Sequence, residues 1–194
     1  MRSQFWTAPN QITLLRLIFV PFVVINILDR NFKSALLLFV LAGLSDALDG
    51  LLARWLNQQS ILGQYLDPIA DKLLLSSAFL VLSFTKQIPW KYTVLVFSRD
   101  LFLILITAVL YITTSIRDFR PSIFGKLNTA AQIGAIFFVL SWRINSAPWI
   151  GAARRGFLVA TMILTCLSAL HYILITGHKL RASGEAGPPQ PPSR

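Results

Sequence analysis

Residues 45–72 read SDALDGLLARWLNQQSILGQYLDPIADK, and this segment concentrates the acidic residues of the chain. The whole chain has eight Asp and Glu residues, and four of them, Asp46, Asp49, Asp67 and Asp71, lie here among mostly apolar neighbours. A charge deep in a membrane costs roughly 3 kcal/mol or more unless a cation compensates it. The segment therefore indicates a functional site.

The composition is that of an integral membrane protein. Of the 194 residues, 55% are hydrophobic and only 13% are charged, whereas a soluble domain typically carries about 25% charged residues. The net charge is +10, and most basic residues fall between apolar runs or at their ends. This placement predicts contact with anionic lipid headgroups rather than with nucleic acid. The single cysteine, Cys166, excludes an internal disulfide.

Six apolar segments are each long enough to cross a bilayer as a helix, which takes about 20 residues. We expect an all-α fold with a juxtamembrane interfacial segment (1–9), a six-helix transmembrane catalytic domain (10–177) and a disordered C-terminal tail (178–194). The first apolar run follows a polar head and is predicted to be a retained helix, without a cleavable signal peptide. The six segments are 11–28, 34–56, 66–85, 91–114, 125–142 and 156–176.

The spacing of the four aspartates predicts that they converge. Asp46 and Asp49 are three residues apart, and Asp67 and Asp71 are four apart, so each pair shares a helix face. The short connection predicts that the second and third helices are antiparallel neighbours. Carboxylate oxygens suit Mg²⁺, Mn²⁺ or Ca²⁺, and four carboxylates can hold two ions in the arrangement that clamps a phosphoryl group.

Small residues around the acids favour a binding site. Gly50 and Ala53 leave a hollow on the second helix, and Gly63 is predicted at the turn that starts the third helix. The alternative is a purely structural role, in which Arg54 or Lys72 pairs with an acid to lock helices together. Four acids at these spacings argue against that alternative.

The whole pattern, Asp46-x2-Asp49-Gly50-x2-Ala53-Arg54-x8-Gly63-x3-Asp67-x3-Asp71, resembles the complete signature of the CDP-alcohol phosphatidyltransferases. The resemblance covers residues 8 to 177 and includes the six crossings. It implies attack of an alcohol hydroxyl on the lipid-bearing phosphate of a CDP-linked lipid, with release of CMP. It also implies a homodimer.

The resemblance further implies roles for the residues of the signature. The first three aspartates, Asp46, Asp49 and Asp67, would be ligands of Mg²⁺ or Mn²⁺, with two ions expected. Asp71 would be the general base for the attacking hydroxyl and would also touch the second metal. The nucleotide and phosphate ligands would include Gly50, Ala53, Arg54 and Gly63.

Further residues resemble the phosphatidylglycerophosphate synthase and cardiolipin synthase branches of the family. Asn10, Thr13 and Arg16 are spaced by three, share a helix face and are expected to reach the nucleotide or its phosphates. A helix cap is the alternative for Asn10 and Thr13. Arg99 and Lys126 are expected to bind the phosphate of an anionic acceptor.

The alternative for Arg99 is a pairing with an acid, or a pairing of Asp100 with Lys72. The dipeptide Arg99-Asp100 is closer to the cardiolipin synthase branch.

The main expectation for function is transfer of a phosphatidyl group from CDP-diacylglycerol to glycerol 3-phosphate. The alternatives are phosphatidylglycerol as acceptor, which is cardiolipin synthesis, and a cation transporter.

The predicted membrane orientation follows from the basic residues. Eight of them flank the crossings on the face that carries both termini, and seven lie on the other face. This excess of one basic residue favours an orientation with both termini and the active site in the cytoplasm. We expect a bacterial inner membrane, with a mitochondrial inner membrane as the alternative.

Overall fold

The computed structural model describes residues 8–56, 61–113 and 123–185, with side chains over 16–45, 70–106 and 123–174. Within these ranges the chain forms six α-helices and no strand, so the predicted all-α class is confirmed. In chain order the helices are α1 (Ala8–Leu28), α2 (Phe32–Leu56), α3 (Ile61–Phe84), α4 (Trp90–Thr113), α5 (Ile123–Ile144) and α6 (Pro148–Glu185).

The helices match the six predicted segments one to one, but several extend further. Helix α3 begins at Ile61, so Gly63 lies within the helix and not at the turn predicted for it. Helix α6 begins at Pro148 and continues to Glu185, past the predicted end at 176 and into the predicted tail. Hydropathy marks only the apolar part of a helix, whereas backbone hydrogen bonding continues through polar residues. Proline favours the first helical position because it needs no N–H partner there.

Tight turns follow α1 and α3. After α1, the Asn31 N–H donates to the carbonyl of Asn26 at 2.8 Å, and the Arg30 N–H donates to that of Ile27 at 3.1 Å. Arg30 has a φ of 58°, and Lys86 has a φ of 57° in the equivalent turn after α3. These are Schellman caps, which satisfy the last carbonyls of each helix and reverse the chain. The basic side chains also lie where the helix dipole favours positive charge.

The helices pack around a shared apolar core. Helices α1 and α5 each contact both α2 and α3, while α6 packs against α5 and α4. The α5–α6 approach is close at Gly134, where a Cβ atom would lie 2.3 Å from the Phe157 ring. The fully buried apolar side chains include Ile27, Ala35, Phe79, Leu82, Ile136 and Leu140.

The outer surface is apolar on all six helices. Large exposed side chains range from Ile18 on α1 to Leu174 on α6, with others on each helix between. Contiguous apolar surface of this kind needs lipid or another protein to cover it. Among the described residues, Ile123–Ile144 and Pro148–Leu174 are long and apolar enough to cross a membrane, and shorter apolar stretches cover Arg16–Leu28 and Phe32–Ser45. Two helices of the described part therefore have the length and composition of a membrane span.

Candidate functional site

Four of the predicted site residues have described side chains: Arg16, Asp71, Arg99 and Lys126. The others lie outside the described side chains, although their backbone is helical. Asn10 and Thr13 fall inside α1, which begins at Ala8, and this position disfavours the helix-cap alternative. The residues without described side chains are Asn10, Thr13, Asp46, Asp49, Gly50, Ala53, Arg54, Gly63 and Asp67.

Asp71 forms an ion pair with Arg16 that joins α3 to α1. Nη1 of Arg16 donates a hydrogen bond to Oδ1 of Asp71 at 2.5 Å. The two side chains differ in exposure: 1% for Arg16 and 44% for Asp71. The arginine is thus enclosed among the helices, while the carboxylate opens towards a cavity.

That cavity has a volume of about 420 Å³ and lies between α1, α2, α3 and α5. Its polar residues are Arg16, Asp71 and Thr129, and the rest of its lining is apolar or glycine. On α5 the lining runs from Thr129 to Phe137, a rise of about 12 Å at 1.5 Å per residue. On α2 it runs from Phe39 to Leu44, which places the cavity directly before Asp46 in that helix. The site is an apolar chamber with charged groups at one end, which suits an amphiphile.

A second charged cluster begins one residue after Asp71. Nζ of Lys72 lies 3.1 Å from Oδ1 of Asp100, and Nη1 of Arg99 donates to the same oxygen at 2.8 Å. Nη2 of Arg99 donates to the Ser168 hydroxyl of α6 at 2.7 Å. Both pairings that the sequence offered as alternatives therefore occur, and they tie α3, α4 and α6 together.

Arg99 also faces a smaller cavity between α4 and α6, with a volume of about 330 Å³. Ser98 and Thr165 supply its other polar side chains. Nε of Arg99 is buried and has no hydrogen-bond partner among the residues that the structure describes. Its use in binding a phosphate stays a prediction.

Helix α5 contributes polar groups from its first two turns. Lys126 is exposed, so its side chain is accessible to an anion. Asn128 is fully buried, and its Oδ1 accepts a hydrogen bond from the Thr165 hydroxyl at 3.0 Å. Thr129 lines the larger cavity.

Asn128 and Thr129 are site residues that the sequence analysis did not single out, although both lie within three residues of Lys126. Arg16 was expected to reach the nucleotide or its phosphates, and its contact with Asp71 was not foreseen. Spacing alone does not reveal which partner a buried polar side chain contacts.

Comparison with known proteins decides the family. The family model described as CDP-alcohol phosphatidyltransferase matches residues 6–176. The chain belongs to the CDP-alcohol phosphatidyltransferase family. The match includes α1 to α5 and most of α6, so it covers both charged clusters. The resemblance seen in the aspartate signature is thereby confirmed.

Relatives fall into two groups by name. A human cardiolipin synthase (CMP-forming) is 38% identical over 146 residues, which are 66% of this chain and 48% of that protein. A probable phosphatidylglycerophosphate synthase of Mycobacterium tuberculosis (strain H37Rv) is 34% identical over 180 residues, 89% of this chain and 82% of the relative.

A CDP-diacylglycerol–glycerol-3-phosphate 3-phosphatidyltransferase of Aquifex aeolicus (strain VF5) is 31% identical over 170 residues, 86% of this chain and 93% of the relative. The chain spans about half the length of the human relative. Family membership and the two apolar helices of membrane-spanning length together indicate an integral membrane protein. Membership also favours a transferase over the cation transporter.

The donor chemistry of the family signature fits a divalent metal. All four expected ligands are carboxylates, and the segment has no His or Cys, which favours a hard cation. Only Asp71 among them has a described side chain, and no group of three His, Cys, Asp or Glu residues forms within the described side chains. The two-ion site and the identity of the metal remain predictions.

Proposed function

We propose that this protein transfers a phosphatidyl group from CDP-diacylglycerol to glycerol 3-phosphate, forming phosphatidylglycerophosphate and CMP. Membership of the family supports the reaction class, and the names of the Mycobacterium and Aquifex relatives support this acceptor. The observation that carries the proposal is Asp71, the last aspartate of the signature, at the charged end of an apolar cavity.

The cavity suits the lipid part of CDP-diacylglycerol. An acyl chain would lie along the apolar wall between Phe39 and Phe137, while the phosphates would lie towards Asp46 and Asp71. Each buried methylene contributes about 0.8 kcal/mol, so a few carbon atoms in the cavity add substantially to affinity. The substrate's reactive phosphate is then held near the carboxylates.

The chemistry of the chain's own residues follows from this placement. The acceptor hydroxyl approaches the open side of the Asp71 carboxylate, which takes its proton. The hydroxyl oxygen bonds to the lipid-bearing phosphorus, the bond from that phosphorus to the bridging oxygen breaks, and CMP leaves with this oxygen. Arg54 holds phosphate, and Gly50 and Ala53 give the nucleotide room against α2. Positioning and neutralisation of charge supply most of the catalysis in such transfers.

Asp46, Asp49, Asp67 and Asp71 would hold two Mg²⁺ or Mn²⁺ ions. When bound, such ions neutralise the phosphate oxygens on which negative charge develops.

Arg99 and Lys126 are the proposed ligands of the acceptor's phosphate. The buried Nε of Arg99, which lacks a hydrogen-bond partner among the described residues, is a donor that a phosphate oxygen would satisfy. Lys126 is exposed and adds a second positive charge. An acceptor with a phosphate is therefore favoured over a neutral alcohol.

The second candidate function is cardiolipin synthesis, with phosphatidylglycerol as the acceptor. The human relative at 38% identity carries that name, and the Arg99-Asp100 dipeptide resembles that branch. Phosphatidylglycerol also presents a phosphate to Arg99, so the same residues serve either acceptor.

The proposed setting is a bacterial inner membrane, crossed six times, with both termini and the active site on the cytoplasmic side. A mitochondrial inner membrane is the alternative. The exposed apolar faces of all six helices support burial in lipid, and they leave room for the homodimer that the family resemblance implies.

The deciding experiment is an assay of the purified protein in mixed micelles with labelled CDP-diacylglycerol. Glycerol 3-phosphate and phosphatidylglycerol are supplied separately, and CMP and the lipid product are measured. We expect CMP release that depends on glycerol 3-phosphate. Turnover with phosphatidylglycerol alone would establish the second candidate, and no CMP release with either acceptor would refute the proposed reaction.

A further inference from the structure

Arg16 is the largest side chain that the described part of the structure buries completely. It lies eight residues into α1, about 12 Å from the start of that helix. Only 1% of its side chain is exposed, and its guanidinium reaches Asp71 across the α1–α3 interface. A guanidinium keeps its charge in proteins, so this burial requires an anion beside it.

The two members of the pair differ in exposure. Arg16 approaches Oδ1 of Asp71 from among the packed helices, while 44% of the carboxylate side chain stays open. Both residues line the charged end of the larger cavity. The arginine therefore restrains a carboxylate that is still partly accessible from the cavity.

This contact differs from the role that spacing suggested for Arg16. The sequence placed it with Asn10 and Thr13 on a face that would reach the nucleotide or its phosphates. The structure places the Arg16 guanidinium within hydrogen-bond distance of the Asp71 carboxylate. The contact also limits the directions that the carboxylate can take, because the planar guanidinium donates along fixed directions.

We propose that Arg16 is a positioning residue that holds the Asp71 carboxylate in the orientation required to take the proton of the acceptor hydroxyl. The proposal rests on the proposed function, in which Asp71 is the base. In this role Arg16 acts through Asp71.

Kinetics of Arg16→Lys and Arg16→Gln separate positioning from substrate binding. In Arg16→Gln we expect kcat to fall by about 100-fold, the size expected for a misplaced catalytic group, with KM for CDP-diacylglycerol changed by less than about threefold. Arg16→Lys keeps the charge and should recover at least about tenfold of that loss. A rise in KM for CDP-diacylglycerol with kcat unchanged, in either variant, would overturn the proposal.

Arg154→Gln is the matched control. Arg154 lies on α6 and contacts the Trp142 ring, with 5.4 Å between its Cζ and the ring centroid, away from both cavities. The substitution replaces an arginine by glutamine, as Arg16→Gln does, but leaves the contact between Arg16 and Asp71 in place. We expect wild-type kcat and KM from this variant, and a loss of kcat equal to that of Arg16→Gln would overturn the proposal.

A stability cycle tests the pair without using turnover. The melting temperature is measured in detergent for Arg16→Gln, Asp71→Asn and the double variant. Asp71→Asn leaves the buried guanidinium without this carboxylate, and Arg16→Gln leaves the carboxylate without its cation, so the double variant should lose less than the sum of the two single losses. Strict additivity would overturn the pairing.

The outcomes distinguish this inference from the proposed function. If the wild-type protein releases no CMP with either acceptor, the proposed function fails, while the stability cycle still reports on the pair. If the wild-type protein is active and Arg16→Gln keeps its kcat, the reaction stands and the positioning role fails. Should Arg16→Gln not fold, Arg16→Lys alone decides: a lower kcat at constant KM supports positioning, and wild-type kinetics overturn it.

Discussion

Nζ of Lys72 lies 3.1 Å from Oδ1 of Asp100, and this contact joins α3 to α4 at the residue that follows Asp71. The same oxygen accepts a hydrogen bond from Arg99 at 2.8 Å. One carboxylate oxygen therefore serves two cations. Asp100 is 14% exposed, whereas Lys72 is 43% exposed. Water can therefore solvate Lys72 in place of its partner more readily than it can solvate Asp100.

This asymmetry predicts unequal effects on stability. Asp100→Asn removes the charge that compensates two cations and should lower the free energy of unfolding by about 3 kcal/mol. Lys72→Met leaves the Arg99–Asp100 contact intact and should cost less than about 1 kcal/mol, as half-exposed pairs do. Denaturant unfolding in detergent micelles measures both changes. Equal losses would contradict the shared-carboxylate arrangement.

Arg99→Gln tests the binding of the acceptor. If Arg99 binds the acceptor's phosphate, KM for the acceptor should rise by about tenfold or more, because a charge-assisted hydrogen bond contributes about 1.5–3 kcal/mol. KM for CDP-diacylglycerol should stay unchanged. Steady-state kinetics with the acceptor varied measure this effect.

Ser168→Ala is the control for Arg99. It removes the hydroxyl that accepts from Nη2 of Arg99 but leaves the guanidinium in place. We expect it to lower stability by about 1 kcal/mol with little change in the acceptor's KM. If Arg99→Gln lowered stability and left KM unchanged, as expected for Ser168→Ala, Arg99 would have a structural role only.

Gly43→Leu should obstruct the larger cavity. Gly43 lines it, and a Cβ atom added there meets nothing within 4 Å, so the substituted side chain has room to enter. Excluding two methylenes of an acyl chain costs about 1.6 kcal/mol, which corresponds to a rise of roughly tenfold in KM for long-chain CDP-diacylglycerol. Short-chain substrates should be less affected.

Gly156→Leu is the matched control for the cavity. Gly156 is also exposed and helical, its Cβ would also meet nothing within 4 Å, and it lines neither cavity. Both substitutions replace a helical glycine by the same residue, so their effects on helix propensity cancel in the comparison. If Gly43→Leu and Gly156→Leu gave the same KM at every chain length, the cavity would not hold the acyl chain.

Gly134→Ala should destabilise the α5–α6 interface. The added Cβ would lie 2.3 Å from Cδ1 and Cε1 of Phe157, so the ring or the helix must move. Overpacking of this kind costs about 1–3 kcal/mol, more than the gain in helix propensity of about 1 kcal/mol. Thermal unfolding checks the sign, and the double variant with Phe157→Leu should recover part of the loss. A more stable Gly134→Ala protein would show that the two helices are less closely packed.

Chelation tests the predicted metal site. EDTA should abolish CMP release, and Mg²⁺ or Mn²⁺ should restore it, because four carboxylates around a phosphate need divalent cations to offset their charge. The enzyme in buffer without EDTA, with and without added metal, is the reference. Full activity after exhaustive chelation would remove the metal from the mechanism.

The sequence by itself determined the fold class and showed the resemblance to the family. Six apolar segments predict six helices because only a helix satisfies its backbone groups within an apolar surrounding, and the described helices match those segments. Four aspartates at spacings of three and four, with glycine and alanine between, resemble the family signature, and their shared helix faces suit a hard cation. Helix ends were less predictable, as α3 and α6 show, because hydropathy does not register polar residues that continue a helix.

Only the tertiary structure decided which charges meet. Arg16 and Asp71 are 55 residues apart in the chain, and Arg99 and Ser168 are 69 apart, yet each pair lies within hydrogen-bond distance. Periodicity places a side chain on a face of its own helix but carries no information about which face of another helix lies opposite. That choice depends on how all the helices pack, because a buried charge is stable only where the packing brings an opposite charge beside it.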